Sequence, residues 1–436
     1  MLKKGDKKLI NAWAFYDWAN SVYSLVISTA VFPIYYSSLT ESFANIEGKI
    51  TFLGTQWNPT TLYDYTLAFS FLIVAFISPI LSGIADYTGN KLKFLKAFCL
   101  LGSLSVMSLF FFKGEATLWV GIVFTILASI GFWGSIVFYN AYLPEVAHPE
   151  QQDDVSAKGF IFGYSGSILL LLLSLVMINK PELFGLPDAG FASRLTFLIV
   201  GVWWFGFAQV TYAKLPNNVY NRKPTKDFIW KGFHELKIVA KELKQHSELK
   251  FFLSSFFMYS VGVQTIILMA GIFGSKELGL PTLDLIAVIL VVQIVGIIGA
   301  FAFSRLSDRI GNISTLKITV LIWAIVCFAA FLLDKSQENI HLYFYGLGAL
   351  IGLVMGAIQS LSRSTYSKLL PETKDHATYF SFYDVTEKLA IVFGMLVFGL
   401  LVSLTGSMQY SVLFLAVFFL ISFVLLNFVG KTKYVQ

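Results

Sequence analysis

Apolar runs of about twenty residues recur along the whole chain, separated by short polar stretches. A run of that length spans a hydrocarbon layer of roughly 30 Å as a helix rising about 1.5 Å per residue. Twelve such helices are predicted, near 11–36, 63–85, 93–112, 117–143, 158–179 and 194–214, then 250–274, 283–304, 314–333, 341–367, 377–404 and 408–430. A basic stretch at 215–249 separates the two sets. The pattern therefore predicts a six-helix half over 1–214, a linker over 215–249 and a second six-helix half over 250–436.

Composition agrees with this. The 436 residues are 56% hydrophobic and 13% charged, with a mean hydropathy of +0.71. Soluble domains carry roughly twice that share of charge, so the chain reads as one all-α, multi-pass membrane protein. Cys99 and Cys327 both lie inside apolar runs, which argues against a disulfide or a metal site. The five histidines, His148, His234, His246, His341 and His376, fall in connections or at helix ends without ligand spacing. No glycine-rich phosphate loop precedes a Lys-Ser/Thr pair. The expectation is a protein that is not an enzyme and carries no cofactor.

Placement of positive charge sets the orientation. About 25 of the 32 Lys and Arg fall in connections on one side and 6 on the other. Cytoplasmic connections are enriched in these residues, so both termini and the linker are expected in the cytoplasm. The N-terminus lacks a short apolar region with a cleavage site, so the first run is expected to be retained. Short loops fit a bacterial inner (plasma) membrane better than a vacuole. The linker places Phe228, Ile229, Phe233, Leu236, Val239, Ala240 and Leu243 at helical spacing among lysines. That is either a basic amphipathic helix on the inner leaflet or a solvated tether. The opposite-side segment 37–62 reads as a capping loop.

One short motif occurs twice, about half a chain length apart. Ser82-Gly83-Ile84-Ala85-Asp86-Tyr87-Thr88-Gly89-Asn90 follows the second run, and Ser304-Arg305-Leu306-Ser307-Asp308-Arg309-Ile310-Gly311-Asn312 follows the eighth. Glycine permits a tight turn and close helix approach. Asp86 and Asp308 stand where an acid can meet a helix N-terminus or a basic residue across the interface between halves. The pair resembles the cytoplasmic signature of the major facilitator superfamily. That resemblance implies the major facilitator fold, with two pseudo-twofold six-helix halves. Tyr87 departs from the basic residue usual after the first Asp.

A narrower resemblance begins at Trp13-Ala14-Phe15-Tyr16-Asp17-Trp18-Ala19-Asn20-Ser21 and Val31-Phe32-Pro33. It continues through Tyr139-Asn140-Ala141-Tyr142-Leu143-Pro144-Glu145, Ser156-Ala157-Lys158-Gly159-Phe160, Gln359-Ser360-Leu361-Ser362-Arg363-Ser364 and Phe380-Ser381-Phe382-Tyr383-Asp384-Val385-Thr386-Glu387-Lys388. These segments are similar to the autophagy-related vacuolar amino-acid effluxer family and its bacterial relatives. The resemblance implies secondary transport, most directly amino-acid export. Val261 stands before Gly262-Val263-Gln264-Thr265, where relatives tend to carry an Asp.

Ionisable groups at membrane depth are costly and therefore functional candidates. Asp17, Arg363, Asp384, Glu387 and Lys388 are expected at similar depth as a charge network, with Arg363 as counter-ion to Asp17 or Asp384. The network is either a gate or proton-coupling device, or a static pair fixing helix register. Tyr16, Asn20, Tyr23, Asn140, Gln264, Gln359 and Tyr383, together with Trp133 and Gln293, are expected to face the cavity as substrate contacts. Gly348, Gly352 and Gly356 form a close-packing stripe. Gly159, Gly163 and Gly166 lack the proline of the antiporter motif and leave antiport unsupported. Pro33 and Pro79 are expected to kink their helices. The expected partners are a small-molecule substrate, a proton and membrane lipids, with no nucleic acid, and the chain is expected to be a monomer. A sugar, nucleoside or drug-like substrate, or a non-transporting receptor or scaffold, remains open.

Overall fold

The computed structural model describes residues 3–217 and 228–430. Among these residues, twelve helices are long and apolar enough to cross a membrane. They are α1 (Lys7–Glu41), α2 (Pro59–Thr88), α3 (Lys91–Phe111), α4 (Glu115–Val146), α5 (Pro149–Asn179) and α6 (Ala189–Tyr212), then α7 (Ser247–Glu277), α8 (Thr282–Ile310), α9 (Asn312–Phe331), α10 (Ile340–Leu369), α11 (His376–Thr405) and α12 (Met408–Leu426). Their outward surfaces expose Phe76, Leu104, Leu172, Leu396 and Leu404, as a lipid-facing surface requires.

The two halves repeat one packing scheme. In the first, α1 packs on α5, α2 on α4 and α3 on α6; in the second, α7 packs on α11, α8 on α10 and α9 on α12. The halves meet through α2 against α11 and α8 against α5, which are again equivalent pairs.

Both signature turns lie at one end of the bundle, here the turn face. Gly89 closes α2 with φ 70°, and Gly311 separates α8 from α9 with φ 84°. Side chains with a Cβ rarely occupy that region. The opposite end carries a small hairpin, β1 (Ile50–Phe52) and β2 (Thr55–Trp57), antiparallel with Ile50 opposite Trp57. Leu53 and Gly54 both have positive φ at its turn, as a type I′ connection needs. A leucine there gave no sequence signal for this hairpin, which lies within the expected capping loop.

Pro33 acts differently from a simple kink. The helix widens to π geometry over Tyr23–Val31, just before Pro33. A proline ring clashes with the carbonyl one turn earlier, and a wider turn absorbs that clash. Helix α2 continues through Pro79.

The glycine stripe on α10 meets α8. A Cβ on Gly356 would overlap the Gly296 carbonyl, and one on Gly352 the Val292 carbonyl; a Cβ on Gly299 would overlap the Leu353 carbonyl. Backbone contact of this kind leaves no room for a side chain. Gly356→Val is expected to cost about 1–3 kcal/mol of stability, read as a lowered unfolding temperature of the purified protein. An unchanged temperature would mean that the two helices can separate freely.

The linker helix, Phe228–Gln245, packs on α2, so it is more than a solvated tether. Val239 and Leu243 are buried, and Glu242 accepts a hydrogen bond from Tyr379 Oη at 2.6 Å. Arg222, Lys223 and Lys226 of the predicted basic segment lie outside the described residues.

Candidate functional site

Arg363 projects from α10 into the first half. Its Nε donates to Ser156 Oγ at 2.9 Å and Nη2 donates to the Ser156 carbonyl at 2.8 Å. Nη1 lies 3.3 Å from both Asp17 Oδ2 and Asn140 Oδ1. Tyr139 Oη donates to the same Asp17 oxygen at 2.8 Å. The guanidinium carbon sits 4.4 Å from the Phe160 ring centre, 4.9 Å from Trp13 and 5.4 Å from Tyr139. A planar, weakly hydrated guanidinium suits such an aromatic box.

Local packing makes this box. The Trp13 indole stacks on Tyr139 at 4.5 Å and donates to the Tyr139 carbonyl at 2.9 Å. Gly159 gives the ion pair its space, because a Cβ there would collide with Asp17 Oδ2 and stand 2.9 Å from Arg363 Nη2. Gly163 and Gly166 abut Ser21 and Trp18 in the same way. These glycines therefore seat α5 against α1.

The other three charges form a separate set on α11. Lys388 Nζ bonds Asp384 Oδ1 at 2.8 Å and lies 3.2 Å from Glu387 Oε2. Gln264 Nε2 donates to Glu387 Oε1 at 2.8 Å. Lys388 Nζ also stands 3.5 Å above the ring of Trp133, a first-half residue on α4. The predicted network is thus two clusters, and Arg363 is counter-ion to Asp17, not to Asp384.

Toward the turn face the signature residues separate. Asp86 accepts from Thr378 N at 2.7 Å, Thr378 Oγ1 at 2.9 Å and Ala377 N at 3.2 Å, all in the first turn of α11. Lys91 Nζ lies 3.7 Å from Asp86 and also pairs with Glu145, which receives His376 Nδ1 at 3.0 Å. Gly83, a buried residue one turn earlier, belongs to this closely packed end of α2. Asp308 makes no hydrogen bond or ion pair among the described residues and is exposed, as is Arg309. Its expected role passes to Asp153 in the first turn of α5. That carboxylate accepts from Lys368 Nζ at 2.6 Å, Asn312 Nδ2 at 2.7 Å and Ser307 Oγ at 2.9 Å. Arg305 instead lies over the Phe301 ring at 4.2 Å.

Several substrate candidates face elsewhere. Tyr16 is fully buried inside the first half, 5.0 Å from the Tyr139 ring and 6.3 Å from Tyr212. Tyr23 packs on Phe132 at 5.0 Å and lines a small cavity within that half, with Ser28 and Thr125. Tyr383 stacks on Phe256 at 4.0 Å inside the second half. Asn20 is fully buried, its Nδ2 without a partner among the described residues. Gln359, half-buried, accepts from Tyr164 Oη at 2.8 Å across the interface. Gln293 is half-buried on α8.

Among the described residues, every side-chain hydrogen bond between the halves lies from the middle of the helices to the turn face. The halves are clasped at that end.

The sequence profile of the family described as "Vacuole effluxer Atg22 like" matches residues 5–434. The chain belongs to this family. A Bacillus subtilis protein named "Uncharacterized MFS-type transporter YxiO" is 35% identical over 99% of this chain and 96% of its own length. Autophagy-related protein 22-1 of Penicillium rubens is 24% identical over 84% of the chain and 75% of its own length. Among solved structures, the major facilitator transporter FucP in its outward conformation aligns with a TM-score of 0.66 at 14% identity, covering 98% of both chains. The proton:xylose symporter XylE aligns with a TM-score of 0.69 at 14% identity, covering 98% of this chain and 95% of its own. The Atg22-like chain is therefore a multi-pass transporter of the major facilitator fold. The Arg363 box unites residues from four of its motif segments, around Trp13, Tyr139, Ser156 and Arg363. Sequence reasoning assigned no role to Trp13, Tyr139, Ser156, Phe160 or Asp153. The first four lie in the quoted family segments, which was the available signal. Asp153 had only its place ahead of the fifth apolar run.

Proposed function

We propose that this Atg22-like transporter exports amino acids across a bacterial inner membrane by alternating access, with the turn face and both termini in the cytoplasm. The observation that carries the alternating-access reading is the one-ended clasp, with Arg363 of one half held inside the other. A clasp at one end is what a rocking mechanism must form and break. The Lys/Arg excess supports the orientation. The family description, a vacuole effluxer, supports the direction, and the resemblance of the motif segments to the amino-acid effluxer family supports the substrate class.

The geometry favours Glu387 over Asp17 as the group that meets the solute. Asp17 is occupied by Arg363 and Tyr139, whereas the Glu387 side chain is 17% exposed, with Gln264 donating to it from α7 and Lys388 between it and Trp133 of the other half. Glu387 is also the candidate proton carrier.

Counterflow of labelled amino acids in proteoliposomes tests this reading. At least one neutral amino acid is expected to exchange, and sugars and nucleosides are not. A charged hydrogen bond is worth about 1.5–3 kcal/mol, so Glu387→Gln is expected to lower the rate by roughly 10- to 100-fold. Exchange of a sugar or nucleoside alone would replace the substrate class. No exchange of any solute by folded protein would favour a receptor.

A further inference from the structure

Charge balance around Lys388 points to a selectivity that the family description does not contain. One ammonium group serves two carboxylates, at 2.8 Å to Asp384 and 3.2 Å to Glu387. Lys388 and Asp384 are nearly sealed, with side chains 1% and 4% exposed. With all three groups ionised, one negative charge is left over, and it falls on the partly exposed Glu387. Asp384 Oδ2 is buried without a hydrogen-bond partner among the described residues, so the cluster also holds an unused acceptor. The Trp133 indole face is already covered by Lys388 Nζ, 3.5 Å from the ring centre, so the group left to meet a solute cation is the partly exposed Glu387 carboxylate. The positive groups at this depth are committed: Lys388 here, and Arg363 to Asp17 and its aromatic box. A solute ammonium therefore meets surplus negative charge, while a solute carboxylate meets no uncommitted cation of the pair.

We propose that Glu387, the partly exposed carboxylate of this cluster, recognises the solute by its ammonium group and that the solute carboxylate is not required, so that monoamines and amino-acid amides bind at least as well as the matching amino acids. This rests on the transport reading only in that the solute reaches α11 from between the halves. Bringing a second cation to a cluster with one excess carboxylate restores neutrality in a low-dielectric setting, where uncompensated charge is costly.

Four compounds sharing one side chain separate the groups: leucine, leucinamide, 3-methylbutylamine and 4-methylpentanoate. The same comparison is repeated with the phenylalanine and lysine series. Thermal unfolding of the purified full chain is followed against concentration of each, since a ligand of the folded state raises the unfolding temperature. Leucinamide and the amine are expected to act at concentrations at least about tenfold lower than the carboxylate, and no higher than leucine, in at least one series. Glu387→Gln is expected to abolish the amine response, while Glu387→Asp retains it. The wild-type comparison stands by itself should the glutamine variant fail to fold. A carboxylate as effective as the amine, an amino acid tenfold more effective than its amide, or no response to any amine would each overturn the proposal. Amine binding without amino-acid exchange in proteoliposomes would remove the amino-acid reading alone. Amino-acid exchange with a strict need for the carboxylate would remove this inference alone.

Discussion

Arg363→Ala is expected to unclasp the turn face. Removing one member of a buried ion pair costs about 3–5 kcal/mol, because the remaining charge stays in a poor solvent. Here Asp17 would keep, among the described residues, the Tyr139 hydroxyl alone, at 2.8 Å. Ser156 would lose two donors and Asn140 one. All of these contacts exist only when α10 lies against the first half, so their loss weakens the clasped state and leaves the open one untouched. The equilibrium should move by roughly 10²- to 10³-fold toward opening. Asp17→Asn should do less, since the guanidinium keeps Ser156, Asn140 and three aromatic rings. The double variant Asp17→Asn, Arg363→Met should fall short of the sum of its parts, because the two residues act as one unit. Spin labels on exposed Lys93 and Arg309, one in each half, read the separation at the turn face. A longer distance for Arg363→Ala, in that rank order, supports a gate. An unchanged distance would mean that the pair only fixes helix register.

The fold was legible because lipid imposes a strong rule: each crossing needs about twenty apolar residues with satisfied backbone. The expected span at 377–404 and the observed α11 at His376–Thr405 differ by one residue at either end. Small polar deviations were not legible. Leu53 gave no turn signal, and Pro33 signalled a disturbed helix without saying whether the clash is met by a kink or by the wider π turn observed over Tyr23–Val31. The site was legible for costly groups and poorly for cheap ones. Asp17, Arg363, Glu387 and Lys388 declare themselves, since burying a charge demands a reason. Tyr16 and Tyr23 are amphipathic rings that serve equally well in a packed half or a cavity, and span assignment alone cannot decide their rotation about the helix axis. The direction of Arg363 had the same ambiguity. It was resolved by Gly159 and Ser156, which open space and supply acceptors on the first-half side.

Asp86→Ala is expected to have an effect second only to Arg363→Ala, and Asp308→Ala almost none. The motif is written twice in the sequence, so the chain alone treats these two acids as equals. Asp86 caps α11 with three hydrogen bonds, and its charge meets the positive end of that helix. Alanine would leave the Ala377 and Thr378 amides without their acceptor, at roughly 2–4 kcal/mol for the clasped state. Asp86→Asn should cost less, since its carbonyl oxygen can still accept from Thr378. Asp308 is exposed and touches none of these groups. Removal of such a surface side chain stays within about 0.5 kcal/mol. The equivalent clasp between α5 and α8 is held by Asp153, so Asp153→Ala, which takes the shared carboxylate from Lys368, Asn312 and Ser307, should resemble Asp86→Ala. Two half-interfaces built on one plan can thus place the acid on opposite partners. In the first it sits on the turn and reaches a helix start; in the second it sits at the helix start and receives donors from the turn. Label separation in the three alanine variants decides the matter. Equal effects from Asp86 and Asp308 would mean that the turn itself, rather than its bond to α11, holds the face closed.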